Sequence, residues 1–240
     1  MNQAERNPAH PRRTFVLVHG SYDGGWAWSQ VAALLRTAGH EVYTPTLTGL
    51  GERVHLRHPG ITLDTHLQDI VNVLLYEDLR EVILVGWSYG GMIITGVAER
   101  APERLAHLVY LDAYVPQDGQ SVVDLLGPQV ASEFEELART QGDGWRLPFT
   151  IPVNDNRPRV DALLNPRKQA LAVTNVRATA LPRTYIFCSE KPDIPFFAHF
   201  AAAAQRARED GAWRYRELPT GHDAVWTMPQ ELTDLLLEIT

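Results

Sequence analysis

The chain has few of the features that mark secreted, membrane or nucleic-acid-binding proteins. It has one cysteine in 240 residues, so no internal disulfide can form. No apolar run approaches the roughly 20 residues of a membrane helix, and residues 1–13 are polar, without the apolar core of a signal peptide. Lysine and arginine are not clustered and the formal net charge is −7, which disfavours nucleic acid and anionic membranes as partners. We therefore expect a soluble, cytoplasmic protein.

The pattern along the chain is that of one α/β domain. Hydrophobic residues make up 45% of the sequence and charged residues 21%, enough for a sizeable core. Strand-like runs alternate with helical ones, which predicts a mostly parallel central sheet flanked by helices. The predicted strands are 14–19, 41–43, 81–85, 107–112, 184–188 and 213–218, and the predicted helices are 28–37, 62–76, 92–100, 196–209 and 229–239.

The alternation stops between residues 113 and 182, where helical pieces lie among prolines and glycines and no further strand stands out. The many apolar residues there argue against a disordered linker. We predict a mainly helical cap over 113–182, inserted into a core of 13–112 and 183–240, with a flexible tail at 1–12.

One short motif points to nucleophilic chemistry. Gly86-Trp87-Ser88-Tyr89-Gly90 lies between the apolar run 81–85 and a helical stretch, which is the order of strand, nucleophile elbow and helix. A serine hydroxyl is a weak nucleophile, so it must stand clear of the sheet beside a base. The pattern predicts Ser88 as a nucleophile.

The base and the acid should follow later strands. His222 comes directly after the last predicted strand, in Gly221-His222-Asp223, and is the predicted base. The orienting carboxylate should follow the preceding strand, which favours Asp193, because one helix and one strand fill the interval to His222. Glu190 in the same loop and Asp112 at the end of its own strand remain alternatives.

The remaining site predictions concern the walls and donors around Ser88. The Tyr89 amide and the Ser21 amide, in the turn after the first strand, are the predicted oxyanion donors. His19 is expected to shape the Ser21 loop rather than to act as a base. Aromatic residues near the motif loops predict an apolar substrate pocket that includes Trp26, Trp87, Phe196 and Trp226.

Two further features are expected to be structural. His55, His58 and His66 lie close together, but their spacing matches no zinc pattern and their neighbours suggest an exposed loop, so we expect no metal. Serine hydrolysis requires no cofactor, and none is expected. Cys188, at the end of a strand, is expected to be buried rather than reactive.

Together these motifs resemble a known family. Four segments of the chain are similar to the α/β-hydrolase superfamily. They are Val16-Leu17-Val18-His19-Gly20-Ser21 with Gly24-Gly25-Trp26, residues 45–53, Gly86-Trp87-Ser88-Tyr89-Gly90, and Gly221-His222-Asp223. Within it, they resemble bacterial carboxylesterases, including pyrethroid hydrolases, that are related to plant methyl salicylate esterases and hydroxynitrile lyases. The resemblance implies the α/β-hydrolase fold, a triad of Ser88, Asp193 and His222, oxyanion amides at Ser21 and Tyr89, and a lid over 113–182.

Two departures from the lyase branch favour ester hydrolysis. The lyases carry a lysine after the catalytic histidine and a threonine at the position of Gly20, whereas this chain has Asp223 and Gly20. An aspartate would repel a cyanide leaving group. We expect a serine hydrolase that cleaves a small-to-medium hydrophobic carboxylic ester through an acyl-enzyme. The alternatives are a tailoring hydrolase for a thioester, lactone or polyketide-derived ester, and a small-molecule receptor without turnover. The sequence names neither the natural ester nor the oligomeric state.

Overall fold

A computed structural model describes residues 11–150 and 157–239. Almost all of the predicted tail lies outside the described residues. The chain forms a six-stranded sheet in the order β2-β1-β3-β4-β7-β8, with every neighbouring pair parallel. Its strands are β1 (Thr14–Val18), β2 (Glu41–Tyr43), β3 (Val82–Trp87), β4 (Leu105–Leu111), β7 (Arg183–Cys188) and β8 (Trp213–Leu218).

Helices connect successive parallel strands, so both faces of the sheet are covered and buried. Side chains alternate along a strand, so Phe15 and Leu17 of β1 enter one hydrophobic cluster while Val16 and Val18 enter the other. Helices cover each face. They are α1 (Ser29–Thr37), α2 (Leu63–Tyr76), α3 (Gly90–Arg100), α4 (Val122–Gln141), α5 (Asn165–Lys168), α6 (Val176–Thr179), α7 (Pro195–Glu209), α8 (Ala224–Thr227) and α9 (Pro229–Leu237).

The helices pack as pairs on opposite faces of the sheet. Helix α2 packs on α3, and α1 packs on α9. Short 3₁₀ helices at Gly25–Trp28, Gly51–Leu56 and Pro102–Arg104 join the elements. No helix within 11–150 and 157–239 is both long and apolar enough to cross a bilayer.

Residues 113–182 contain short strands as well as helices. Helix α4 is broken at Gly127, where φ is +80°, and Pro128 follows the break. The strands β5 (Arg146–Leu147) and β6 (Ala162–Leu163) form an antiparallel pair. Neither of these strands stands out in the sequence. Two residues per strand are too few to produce a visible alternation in the sequence.

The strand order places a crevice at one edge of the sheet. The chain runs from β1 to β2 on one side and then to β3 on the other side of β1, so the loops after β1 and β3 diverge. Ligands of parallel α/β sheets bind at such a switch point, outside the carboxyl ends of the strands. The register pairs Trp87 of β3 with Leu111 of β4, so the next residues, Ser88 and Asp112, lie side by side at this edge.

Candidate active site

Ser88 stands on a strained turn between β3 and α3. Its φ is +55°, a left-handed conformation that costs a non-glycine residue energy. Three backbone hydrogen bonds hold it there: the Ser88 amide donates to Leu111 (3.2 Å), and the Ser88 carbonyl accepts from Gly91 and Tyr114 (3.1 Å each). The turn is therefore fixed by the neighbouring strand and by the start of the helix.

Glycine is required on both sides of this turn. A Cβ on Gly86 would lie 2.5 Å from the backbone of Gly90, and a Cβ on Gly90 would lie 2.6 Å from the carbonyl oxygen of Val18. Both contacts are with backbone atoms, which cannot move aside as a flexible side chain can. The two glycines thus allow α3 to cross close to β1 and β3, and this crossing lifts Ser88 above the sheet edge.

His222 lies in the loop between β8 and α8 and contacts a buried carboxylate. Its Nδ1 is 2.6 Å from Oδ2 of Asp112, which is fully buried. The imidazole ring stacks on Phe200, with centroids 4.9 Å apart, and the Trp87 indole donates to the His222 carbonyl at 2.9 Å. These contacts fix the orientation of the ring and leave Nε2 as the nitrogen that does not face Asp112.

The carboxylate on His222 is not the one that the sequence favours. Asp193 and Glu190 are both exposed in the loop after β7, whereas Asp112 extends from β4 directly beside Ser88. The structure does not bring Asp193 to His222; it brings the alternative, Asp112, into contact with it. The chain order of serine, acid and histidine does not distinguish the two acids, because Asp112 and Asp193 both lie between Ser88 and His222 in the sequence.

The loop after β7 supplies a cation instead of an acid. Lys191 donates from Nζ to Oδ1 of Asp112 at 2.7 Å and also to the Cys188 carbonyl. Only 5% of the Lys191 side chain is exposed. The Cys188 amide donates to the same Asp112 oxygen at 3.3 Å. Asp112 is thus bound on one oxygen by His222 and on the other by a buried ammonium, which offsets the cost of burying its charge.

Cys188 itself is buried at the end of β7, as expected. Burial, and secondly the charge of Asp112, raise the pKa of its thiol far above the usual range. The thiolate that nucleophilic or redox chemistry requires is therefore disfavoured.

His19 fixes the loop that carries the Ser21 amide. Its Nε2 accepts from the Leu47 amide (3.1 Å), so we assign the proton to Nδ1, which donates to the Gly20 carbonyl (2.7 Å). Burial lowers the pKa of His19 to about 4, so the ring is neutral. The Gly20 carbonyl and the Ser21 amide belong to one trans peptide and point in opposite directions. Holding that carbonyl therefore orients the predicted oxyanion donor.

Tyr89 is anchored from behind the site. It precedes Gly90 at the start of α3, where backbone amides have no partner within the helix. Its buried hydroxyl donates to Nδ1 of His66 (3.0 Å), and His66 donates from Nε2 to the Thr48 carbonyl (3.0 Å). The expectation of an exposed loop is thus wrong for His66, whose pKa burial lowers to about 4.

The other two histidines of that group, His55 and His58, are exposed. In the part of the chain that the structure describes, no three His, Cys, Asp or Glu side chains are grouped so that they could hold a metal ion.

A cavity of about 250 Å³ joins these residues. Ser88, His222 and Ser21 line it, as do three of the four predicted pocket residues, Trp87, Phe196 and Trp226. Trp26 stands one layer behind and stacks on Trp226, with ring centroids 6.0 Å apart. Sequence reasoning missed further lining residues, which come from the loop after β1 and from segment 113–182: Tyr22, Asp23, Tyr114, Phe134, Phe149, Arg159 and Arg167.

One wall of the cavity carries opposite charges. Asp23 is 4% exposed, and burial raises its pKa to about 7, although the nearby Arg159 opposes this shift. Nε of Arg159 is 3.9 Å from Oδ1 of Asp23, and its Nη2 is 3.9 Å from Oδ2 of Asp223. Asp223, next to His222, therefore links the histidine loop to Arg159.

The chain is similar to known hydrolases. Residues 15–235 match the alpha/beta hydrolase family. A carbendazim hydrolyzing esterase from Nocardioides sp. (strain SG-4G) is 39% identical over 92% of this chain and 97% of its own length. Methylesterase 1 from Arabidopsis thaliana is 27% identical over 95% and 96%, respectively.

A pyrethroid hydrolase from Sphingobium faniae JZ-2 has the same fold, with a TM-score of 0.77 at 21% identity over 95% of this chain and 97% of its own. The resemblance and the fold inferred from the sequence are confirmed, and the relatives support an esterase or hydrolase function. The chain belongs to the alpha/beta hydrolase family.

Proposed function

We propose that this protein is a serine hydrolase that cleaves small-to-medium hydrophobic carboxylic esters, with Ser88 as nucleophile, His222 as base and Asp112 as the orienting acid. The observation that carries the proposal is the 2.6 Å contact between Nδ1 of His222 and buried Asp112 at the cavity that Ser88 lines. This assignment replaces Asp193 in the triad.

The geometry supports an acyl-enzyme pathway. Asp112 holds the proton on Nδ1, which leaves Nε2 to take the Ser88 proton as the hydroxyl attacks the ester carbonyl. The amides of Ser21 and Tyr89 then donate to the tetrahedral oxyanion. The imidazolium next protonates the leaving alcohol, and Ser88 stays acylated. In the second half, neutral His222 activates a water that releases the acid.

The lining and size of the cavity support this substrate class. Its walls are largely aromatic, which favours an apolar or flat substrate body, and about 250 Å³ limits the size of that body. Segment 113–182 supplies part of these walls through Phe134 of α4, Phe149, and Arg167 of α5. We therefore assign this segment the role of a cap over the site. Relatives named as esterases support an ester, rather than another acyl compound, as the substrate.

Hydrolysis of p-nitrophenyl acetate and p-nitrophenyl hexanoate tests the proposal. Ser88→Ala and His222→Ala should each lower kcat by several orders of magnitude with little change in melting temperature. Asp193→Asn, at an exposed position, should keep the wild-type rate. Substantial turnover by folded Ser88→Ala would refute a serine mechanism, and tight ligand binding without turnover by the wild type would favour the receptor alternative.

A further inference from the structure

Arg167 is a buried cation that lines the catalytic cavity. It lies in α5 and is 4% exposed. Its Nη1 donates to the Leu163 carbonyl at 2.7 Å, and its Nε has no hydrogen-bond partner. Among the residues described, no carboxylate lies within 4.0 Å of its guanidinium group. A guanidinium keeps its charge at any physiological pH and carries five N–H donors.

Two further donors line the same cavity. The hydroxyls of Tyr22 and Tyr114 make no hydrogen bond to any residue in 11–150 or 157–239, and both side chains line the cavity. The Arg167 guanidinium carbon is 5.9 Å from the ring centroid of Tyr22. Burial raises the pKa of both phenols, with the positive charge of Arg167 acting in the opposite direction. Both groups are therefore hydroxyls that can donate.

Within residues 11–150 and 157–239, no acceptor completes this group of donors. Burying a charge costs free energy unless an opposite charge or enough hydrogen bonds compensate. The single bond to Leu163 uses one of five donors, and the ring faces of Tyr22 and Tyr89 give only a weak attraction. Asp23 does not fill this role, because the arginine beside it is Arg159. A planar oxyanion would satisfy the guanidinium with two parallel hydrogen bonds.

We infer that Arg167, Tyr22 and Tyr114 form a carboxylate subsite, so that the preferred substrates are half-esters of dicarboxylic acids. This inference rests on the proposed ester hydrolysis. The ester group lies at Ser88, the aromatic walls hold the body of the acyl group, and the free carboxylate lies against Arg167. The subsite selects among esters and takes no part in bond cleavage.

Matched aromatic methyl esters test the subsite. Monomethyl terephthalate and monomethyl isophthalate differ from methyl p-toluate and methyl m-toluate only in having a carboxylate in place of a methyl group. In at least one of the two pairs, the wild type should prefer the half-ester over its toluate by about tenfold or more in kcat/KM. Arg167→Met should lower that preference, measured as the ratio of kcat/KM on the half-ester to kcat/KM on its toluate, about 10- to 100-fold. Arg167→Lys should retain part of it.

Control variants separate recognition from structure. Tyr22→Phe and Tyr114→Phe remove one hydroxyl each and should lower the same preference by a smaller factor, even if Arg167→Met does not fold. Equal loss on the toluate and on the half-ester in folded Arg167→Met would show a structural role and overturn the subsite. A wild-type preference for the toluate in both pairs would do the same.

Failure of the proposed function is distinguishable from failure of the subsite. Ser88-dependent hydrolysis of the toluates tests the serine mechanism alone. Calorimetric titration of Ser88→Ala with monomethyl terephthalate or isophthalate, with and without Arg167→Met, tests the subsite without turnover. Binding that Arg167→Met weakens at least tenfold supports the subsite, and binding that it leaves unchanged overturns it.

Discussion

Replacing Asp112 by asparagine separates the catalytic role of this carboxylate from its structural role. The substituted side chain would be neutral, and its amide group could face Nδ1 and place the imidazole proton on Nε2, where His222 could not accept from Ser88. Asp112 contacts His222 at 2.6 Å. We expect kcat on p-nitrophenyl esters to fall about 10³- to 10⁴-fold, the scale known for loss of the acid from a serine triad.

The same substitution should also destabilise the fold, because Lys191 would lose the anion that its ammonium contacts. Both groups are buried, with a 2.7 Å separation. Breaking one partner of such a pair costs about 3–5 kcal/mol. The double variant Asp112→Asn/Lys191→Met removes both charges, so it should recover much of this stability while remaining inactive.

Urea unfolding and steady-state kinetics on the two variants, with Asp193→Asn as the matched control, measure both effects. A stable double variant with restored activity would show that Asp112 acts only through folding. An Asp112→Asn protein with the wild-type rate, or an inactive Asp193→Asn protein that is folded, would refute the assignment of the acid.

Three further predictions concern single positions. Lys191→Met should lower the melting temperature, because it leaves the buried carboxylate of Asp112 without the ammonium that contacts it at 2.7 Å; an unchanged melting temperature would contradict this. Asp23→Asn should stabilise the protein at pH 8 but not at pH 4. Burial raises the pKa of Asp23 to about 7, so this carboxyl binds a proton more tightly in the folded wild type than in the unfolded chain. The folded state therefore loses stability, at most about 4 kcal/mol, as pH rises from about 4 to about 7. Melting temperatures across this range measure the effect, and parallel curves for the two proteins would argue against it. Gly86→Ala should lower both melting temperature and kcat, since its Cβ would lie 2.5 Å from the Gly90 backbone; normal values of both would show that the elbow tolerates a side chain.

The sequence predicts the sheet and the elbow well because both depend on local patterns. Six strand-like runs matched the strands of the main sheet within three residues at either end, since apolar runs bounded by turns are typical of buried parallel strands. The motif around Ser88 combines a strand, two glycines and a helix in one continuous segment. Its geometry is therefore encoded within about 20 residues.

The acid and the cavity walls depend on contacts between distant segments. Asp112 and His222 are 110 residues apart, and Asp193 satisfies the chain-order rule equally well. A signal for Asp112 was present, because it follows the strand next to Ser88, but choosing it requires the strand order. Tyr22, Phe149 and Arg167 could not be assigned to the cavity, since the packing of segment 113–182 decides which side chains face Ser88.

The most direct test of the central claim is to locate the nucleophile chemically. The wild type and Ser88→Ala would be treated with a fluorophosphonate, digested and examined by mass spectrometry. We predict stoichiometric labelling of the peptide that contains Ser88, loss of ester hydrolysis in step with labelling, and no label in Ser88→Ala. A label on another residue, or full hydrolysis by protein labelled at Ser88, would contradict the proposed mechanism.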